Sequence, residues 1–524
     1  MTRSGLGAVL RLQLRTGWVA VVAWVAGLLA TYVGTVAAIG TTYGTPEQLA
    51  TYGATVGSDP TMAAINGTPY GADTLGGVVA NEFGFVAAIA VPLMGLLLVA
   101  RSTRKAEELG LLELVRSRAV GARAPWTAAL LVSGGGLVLV GAGAAVTLVV
   151  HDVPVPDAAL YGASLTALGL VFAGVATLAG QLLRRSAGVV GAGVVVLGAA
   201  YVVRAVGDVK GNGWKWLSPL AWEQETRPFA DSRAWPLLLA LGVFVALAAT
   251  GLVLVGRRDL GSAAVASRPG PARAGRFGGS QAGLALRLHG PVLLAWAVGA
   301  AALGAVFGAF TDDIDDVIAG NPDLQAVFSG GAGTDPTSWY VSFCLVLVLL
   351  MAMGAGAQVV GRVRTEETGG RLEPVLARST SRTSWIATHA TVALVGSAVV
   401  ALGGGIGLAA AVAGTSGDVA GTIGASVAYL PAVLTLPALG VALVGLLPRC
   451  TVAMWAALAY VALVELLGEM LRLPDWALQV SPVHATGRLP TDEASGVAVV
   501  IVAVVVVALV VAGATGFRHR DVPR

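Results

Sequence analysis

Apolar runs of about 20 residues recur along this chain, and short stretches between them carry most of its charge. A continuous run of that length crosses the ~30 Å hydrocarbon layer of a bilayer as one α-helix. Strands of a membrane barrel would instead alternate apolar and polar residues. The pattern predicts spans at about 18–39, 79–100, 125–150, 158–182, 187–206 and 234–256. Six more follow at about 290–310, 339–361, 385–413, 421–447, 450–470 and 496–516. The expected fold class is all-α, a polytopic integral membrane protein of twelve transmembrane helices. Arg3, Arg11 and Arg15 ahead of the first run resemble the opening of a signal peptide. That run is longer than a signal core and many spans follow it, so a retained first helix is expected.

Charge orients these spans. Basic loops comprise the N-terminus, Arg101 to Arg123, Arg184-Arg185, Arg257 to Arg276, Arg362 to Arg382, Arg449 and the tail from Arg518. All fall on one side if twelve spans alternate. The other side holds His151-Asp152, the run Asp312-Asp313-Ile314-Asp315-Asp316, Asp418 and Asp492-Glu493. Positive loops mark the cytoplasmic face, so a multi-pass protein of the cell membrane with both termini cytosolic is expected. Bulk composition agrees: 56% of residues are hydrophobic, 12% are charged and the mean hydropathy is +0.79. Ordinary soluble chains are about 25% charged. Seventy-one glycines suit close helix contact in lipid. The basic residues are dispersed among loops rather than pooled, which argues against nucleic acid as a partner.

The two halves resemble each other. Leu10-Arg11-Leu12 matches Leu286-Arg287-Leu288, and Asp59–Ile65 matches Asn321–Val327. Leu217-Ser218-Pro219-Leu220 matches Val480-Ser481-Pro482-Val483. The landmarks keep their order, predicting a duplication into two parallel six-helix repeats, residues 1–256 and 286–524. A cytosolic linker is expected over 257–285, which is rich in Arg, Gly, Ser and Pro.

One acidic pattern is also doubled. Glu107-Glu108-Leu109-Gly110-Leu111-Leu112-Glu113 leads to Arg118, Arg123 and Trp126. Glu366-Glu367-Thr368-Gly369-Gly370-Arg371-Leu372-Glu373 leads to Arg378, Arg382 and Trp385. Matching Glu107-Glu108 to Glu366-Glu367 leaves one inserted residue near the glycines. Each copy reads as a short amphipathic helix at the cytosolic surface, with carboxylates at its positive end and arginine near its close. Helix-end charges of this kind are common, so the repetition is what points to a paired contact.

No GxxxxGK[ST] stretch exists, and Lys105, Lys210 and Lys215 are the only lysines that could have completed one. No HExxH, CxxC or nucleophile elbow is present, and five histidines are scattered between His151 and His519. Cys344 and Cys450 indicate neither a disulfide framework nor a zinc site. The chain is therefore expected to be a transport subunit rather than an enzyme, with no cofactor of its own. Glu465 and Glu469 share one face of the eleventh span, and Glu82 opens the second. These three are candidates for a substrate route, against the plainer reading that they mark the outer water boundary.

The loop E-E-x-G-x-L-E-x-V followed by basic residues resembles the cytosolic loop between spans two and three of type-2 ABC exporter permeases. The doubled length and the stretch Trp216-Leu217-Ser218-Pro219-Leu220-Ala221-Trp222 with Arg227-Pro228-Phe229 resemble one branch. That branch is the twelve-span actinobacterial permeases described as exporters of polyketide antibiotics and other drugs. The resemblance implies ATP-driven efflux of an amphiphilic drug-like or antibiotic molecule. It further implies two copies of a separate ABC ATP-binding subunit, with ATP and Mg bound there. Carried onto this chain, Glu107, Glu108, Glu113 and Arg118 would form one ATPase-coupling loop, and Glu366, Glu367, Glu373 and Arg378 the other. The sequence departs from the family where Leu111-Leu112 replaces Gly-Arg-Leu and where Pro374 stands opposite Leu114. A proton-coupled secondary drug antiporter also has twelve spans, but it calls for a Gly- and Arg-rich second loop and mid-membrane carboxylates.

Overall fold

A computed structural model describes residues 5–57, 63, 65–117, 120–265, 275, 278–309, 311, 336–377, 380–414, 418–468, 473–492 and 494–520. Helices account for nearly all regular structure in these residues, as lipid demands: a helix satisfies its own backbone polar groups where no water can. Eleven described helices are long and apolar enough to cross a membrane. The protein is a multi-pass α-helical membrane protein.

The eleventh expected span, about 450–470, differs. Helix runs only over Ala453–Leu467, 15 residues. At 1.5 Å per residue that is about 22 Å, short of the ~30 Å hydrocarbon layer. Beyond Gly468 the residues 469–472 lie outside those described, and a separate helix begins at Asp475.

The chain divides into two compact units, Met1–Gly270 and Pro271–Arg524. The first contains α1 (Leu6–Thr42), α2 (Pro46–Val56), α3 (Leu75–Glu108), α4 (Leu111–Arg116) and α5 (Ala124–Val150). It continues with α6 (Val155–Leu182), α7 (Ser186–Val209), α8 (Pro219–Gln224) and α9 (Trp235–Val255). Helix α6 is the most enclosed, packed by α3, α5 and α9. Its approach to α5 is backbone on backbone: a Cβ built on Gly141 or Gly162 would lie 2.2 Å from the other's carbonyl oxygen. Tyr32 of α1 meets Phe83 of α3 edge-on at 4.9 Å and Tyr161 of α6 at 6.1 Å.

The second unit contains α10 (Gln281–Gly308), α11 (Pro336–Thr368), α12 (Glu373–Leu376), α13 (Arg382–Val412) and α14 (Val419–Leu446). It ends with α15 (Ala453–Leu467), α16 (Asp475–Val480), α17 (Pro482–Thr486) and α18 (Gly496–His519). Here α11 is the enclosed helix, α10 packs along α13 and α14 along α18.

Part of the expected linker is not free chain. Ala264 and Val265 donate backbone hydrogen bonds to Gln181 and Leu182 at the end of α6, and helix resumes at Gln281. The matched Ser-Pro landmarks do equivalent work: Ser218 and Ser481 are fully buried N-caps of the short helices α8 and α17. Asp59–Ile65 and Asn321–Val327 fall largely outside the described residues.

Candidate functional site

The last turns of α3 change geometry before the first acidic loop. A π-helical turn, Arg101–Lys105, precedes Ala106–Glu108. Arg104 is only 1% exposed there. Its guanidinium donates to Glu107 Oε2 at 2.9 Å and to the carbonyls of Arg184 and Ser262, both at 2.8 Å. Arg258, three residues past α9, closes the cage from the other side. It reaches Glu107 Oε1 at 2.6 Å and Oε2 at 2.7 Å, while its Nε donates to Gln181 at 2.6 Å. The backbone N–H of Gly261 adds a fourth bond to Glu107 at 2.8 Å. Glu107 thus ties α3 to the ends of α6 and α9. Glu108 is exposed and does different work: it accepts from the backbone N–H of Ser186 at 2.6 Å, holding the first turn of α7.

Gly110 then takes φ 72°, a left-handed conformation in which glycine carries no Cβ penalty, and the chain reverses into α4. Leu112 turns inward and is 5% exposed. Leu109, Leu111 and Leu114 point outward at 61%, 50% and 72% exposure, with Glu113 exposed among them.

In the second unit the loop repeats this plan. Glu367, buried, sits 2.8 Å from Arg364 and 2.6 Å from Arg520, which follows α18 just as Arg258 follows α9. Arg520 lies over the Phe517 ring at 4.9 Å, and Phe517 stacks on Trp385. Gly370 takes φ 68°, Leu372 is 1% exposed, and Glu373 is exposed at the start of α12. Glu366 instead makes an outer ion pair with Arg371, 2.7 Å.

The structural correspondence therefore shifts by one residue from the sequence match. Glu107 corresponds to Glu367, each three residues after a caged arginine and three before a left-handed glycine. No insertion lies near the glycines. Ten positions separate Glu113 from Arg123 and nine separate Glu373 from Arg382, so the extra residue falls later, in the first copy. Adjacent glutamates hid the shift, and Arg104 with Arg364 was the signal that could have revealed it. The outward faces also differ: Leu109, Leu111 and Leu114 in the first loop stand where Gly369, Arg371 and Pro374 stand in the second. Arg118 and Arg378 lie outside the described residues.

The substrate-route candidates are placed more modestly. Glu82 is exposed and accepts from Tyr52 of α2 at 2.5 Å, and Tyr52 accepts in turn from Asn81. Glu465 accepts from the Ser481 hydroxyl, and Glu469 lies outside the described residues.

At the opposite end of the first unit, the stretch from Trp216 to Phe229 forms a clamp that sequence reading left without a role. Trp216 stacks on Trp235 at 4.8 Å, and the Trp222 indole donates to the Trp216 carbonyl. Tyr201 and Arg204 both donate to the Ile65 carbonyl, and Gln224 to that of Asn66. Burial alone would raise the Glu225 carboxyl, but hydrogen bonds from Lys215, Tyr70 and Arg227 outweigh it and hold Glu225 below the usual range. Two residues earlier, Glu223 faces a small cavity of about 40 Å³ beside Asn81 and Tyr161. Desolvation pushes its carboxyl up to about 7, against a hydrogen bond from Ser164 and the charge of Arg204.

A chain so built has relatives. Residues 279–518 match the family model described as the C-terminal domain of the multidrug efflux system permease Rv1217c. Across 99% of this chain and 95% of the relative, it is 34% identical to the multidrug efflux system permease protein Rv1217c of Mycobacterium tuberculosis strain H37Rv. With its helical bundles, its doubled caged loop and a match over almost its entire length, the chain belongs to the Rv1217c family of multidrug efflux permeases.

Proposed function

We propose that the chain is the membrane subunit of an ABC-type exporter, moving amphiphilic drug-like or antibiotic molecules out of the cell on energy from a separate ATP-binding subunit. The basic ends of both units, with both termini, face the cytosol, with the short α15 and the residues after it making the twelfth crossing, and the protein lies in the cytoplasmic membrane. Two copies of the ATP-binding subunit dock beneath it and hold the ATP and Mg. The observation that carries this reading is the same projecting loop built twice, each anchored from within by a carboxylate between two arginines.

The anchoring explains how a push would travel. Force on α4 passes through Glu107 to α3, α6 and α9, and through Glu108 to the start of α7. Force on α12 passes through Glu367 to α11 and the end of α18. Glu107 and Glu367 are thus positioning residues, and the partner touches Glu113 and Glu373 with their exposed neighbours. Charged cages at both loops resist bending better than flexible chain would, so displacement reaches the span ends rather than being absorbed.

The test is co-purification. The wild-type permease should retain two ATP-binding subunits by native mass spectrometry. Replacing Leu109, Leu111 and Leu114 with Ser should lower that occupancy without changing thermal stability. Full occupancy in the triple variant would refute the docking assignment.

A further inference from the structure

The second unit contains a cavity of about 820 Å³ bounded by α14, α15, α17 and α18. Helices α14 and α18 pack closely, while α15 and α18 stand apart across the opening. The cavity follows α18 from Ser495 to Leu509, which at 1.5 Å per residue is about 21 Å. Its deep walls are apolar: Met353, Leu436, Leu439, Val461, Val502 and Leu509. Its polarity is gathered at one end. Gln479 and His484 line that mouth, and neither side chain makes a hydrogen bond within the described residues. The hydroxyls further in are already spent, Thr435 on the Ala432 carbonyl and Tyr460 on that of Ala477, both at 2.6 Å. Behind the mouth, Ser481 binds the Glu465 carboxylate.

We propose that this cavity is a binding site, held within the second unit alone, for an elongated neutral or weakly basic amphiphile. The apolar body lies along α18, and a hydrogen-bonding head meets Gln479 and His484. The size suits a drug-like ligand, whose sites commonly span roughly 300–1,000 Å³. Charge decides against a bilayer phospholipid as occupant. Among the described residues no lysine or arginine lines the cavity to pair with a phosphate head, while the Glu465 carboxyl behind the mouth suits a basic one. This inference rests on the export reading for its choice of ligand, and it gives Glu465 a role at the mouth of the site.

The test uses the full chain in nanodiscs without any ATP-binding subunit, so its outcome is separate from whether ATP drives transport. N-phenyl-1-naphthylamine, an apolar amine that brightens on leaving water, is the probe. The wild type should bind it saturably. Ala457→Trp and Ala498→Trp, which fill the cavity from α15 and α18, should weaken binding at least tenfold. Should either variant fold poorly, Ile501→Cys in a Cys450→Ser background gives a second readout: bound dye should slow alkylation of the new thiol several-fold. Unchanged binding in well-folded filled variants, or unchanged alkylation, overturns the proposal. So does a phospholipid retained by the wild type and lost from the filled variants while dye binding persists.

Discussion

Replacing Glu107 with Gln keeps the side chain's shape and removes its charge, which isolates what the cage contributes. Glu107 accepts four bonds of 2.6–2.9 Å, three from guanidinium groups and one from Gly261. The Arg104 side chain is 1% exposed and that of Arg258 11%, so neither can recover much hydration when its partner is lost. Breaking a buried pair from one side costs about 3–5 kcal/mol, because a charge is left unpaired in poor solvent. That corresponds to roughly 10²- to nearly 10⁴-fold more opening of the loop. The Glu366–Arg371 pair makes the contrast, with side chains 25% and 57% exposed. Exposed pairs of that kind contribute about 0–1 kcal/mol. Hydrogen–deuterium exchange of residues 105–117 in the Glu107→Gln variant should rise strongly, and that of residues 365–377 should rise likewise in Glu367→Gln. Glu366→Ala should change its own loop little. If Glu107→Gln and Glu367→Gln behave like Glu366→Ala, the cages do not hold the loops and the force path through them is wrong.

Glu223 gives a pH dependence with a defined sign. Its carboxyl is pushed from 4.5 to about 7 by desolvation, so between those values the folded protein holds a proton that the unfolded chain has released. Stability should fall as pH rises through that window, by about 3 kcal/mol in all, and level off above it. Thermal melts at pH 5 and pH 8 should show the wild type losing more stability than Glu223→Gln over that interval, and equal losses in the two would refute the assignment. Gly141→Leu should unfold or misassemble the first unit, because its side chain would enter the space of the Gly162 carbonyl, and a large loss of monodisperse protein on size exclusion checks this. Arg258→Met alone should loosen the first loop, and adding Glu107→Leu should loosen it further in the same exchange measurement, since Arg104 is then left buried without its carboxylate.

The hydrophobic pattern carried most of the fold, because in lipid a long apolar run has hardly any alternative to a helix. The short helix Ala453–Leu467 is the exception: hydropathy continued to about residue 470, while the helix stopped at Leu467. Composition registers the first and not the second. The doubled pattern located two loops built on one plan but matched their glutamates one residue out of step. Identical adjacent glutamates look interchangeable in sequence, but burial separates Glu107 from Glu108 and Glu367 from Glu366. Arg258 and Arg520 could not be assigned to the loops by spacing, since each reaches its glutamate across 151 and 153 positions. The cavity along α18 was invisible for a related reason: apolar residues that face lipid and those that line a cavity have the same composition.

The claim that matters most is that ATP hydrolysed on another chain drives export through these loops. Proteoliposomes holding the permease with the ATP-binding subunit that co-purifies with it should expel a fluorescent amphiphile when ATP is supplied. Export should cease when the catalytic glutamate of that subunit is changed to Gln, even though the complex still assembles. Export that continues with the hydrolysis-dead subunit would contradict the account.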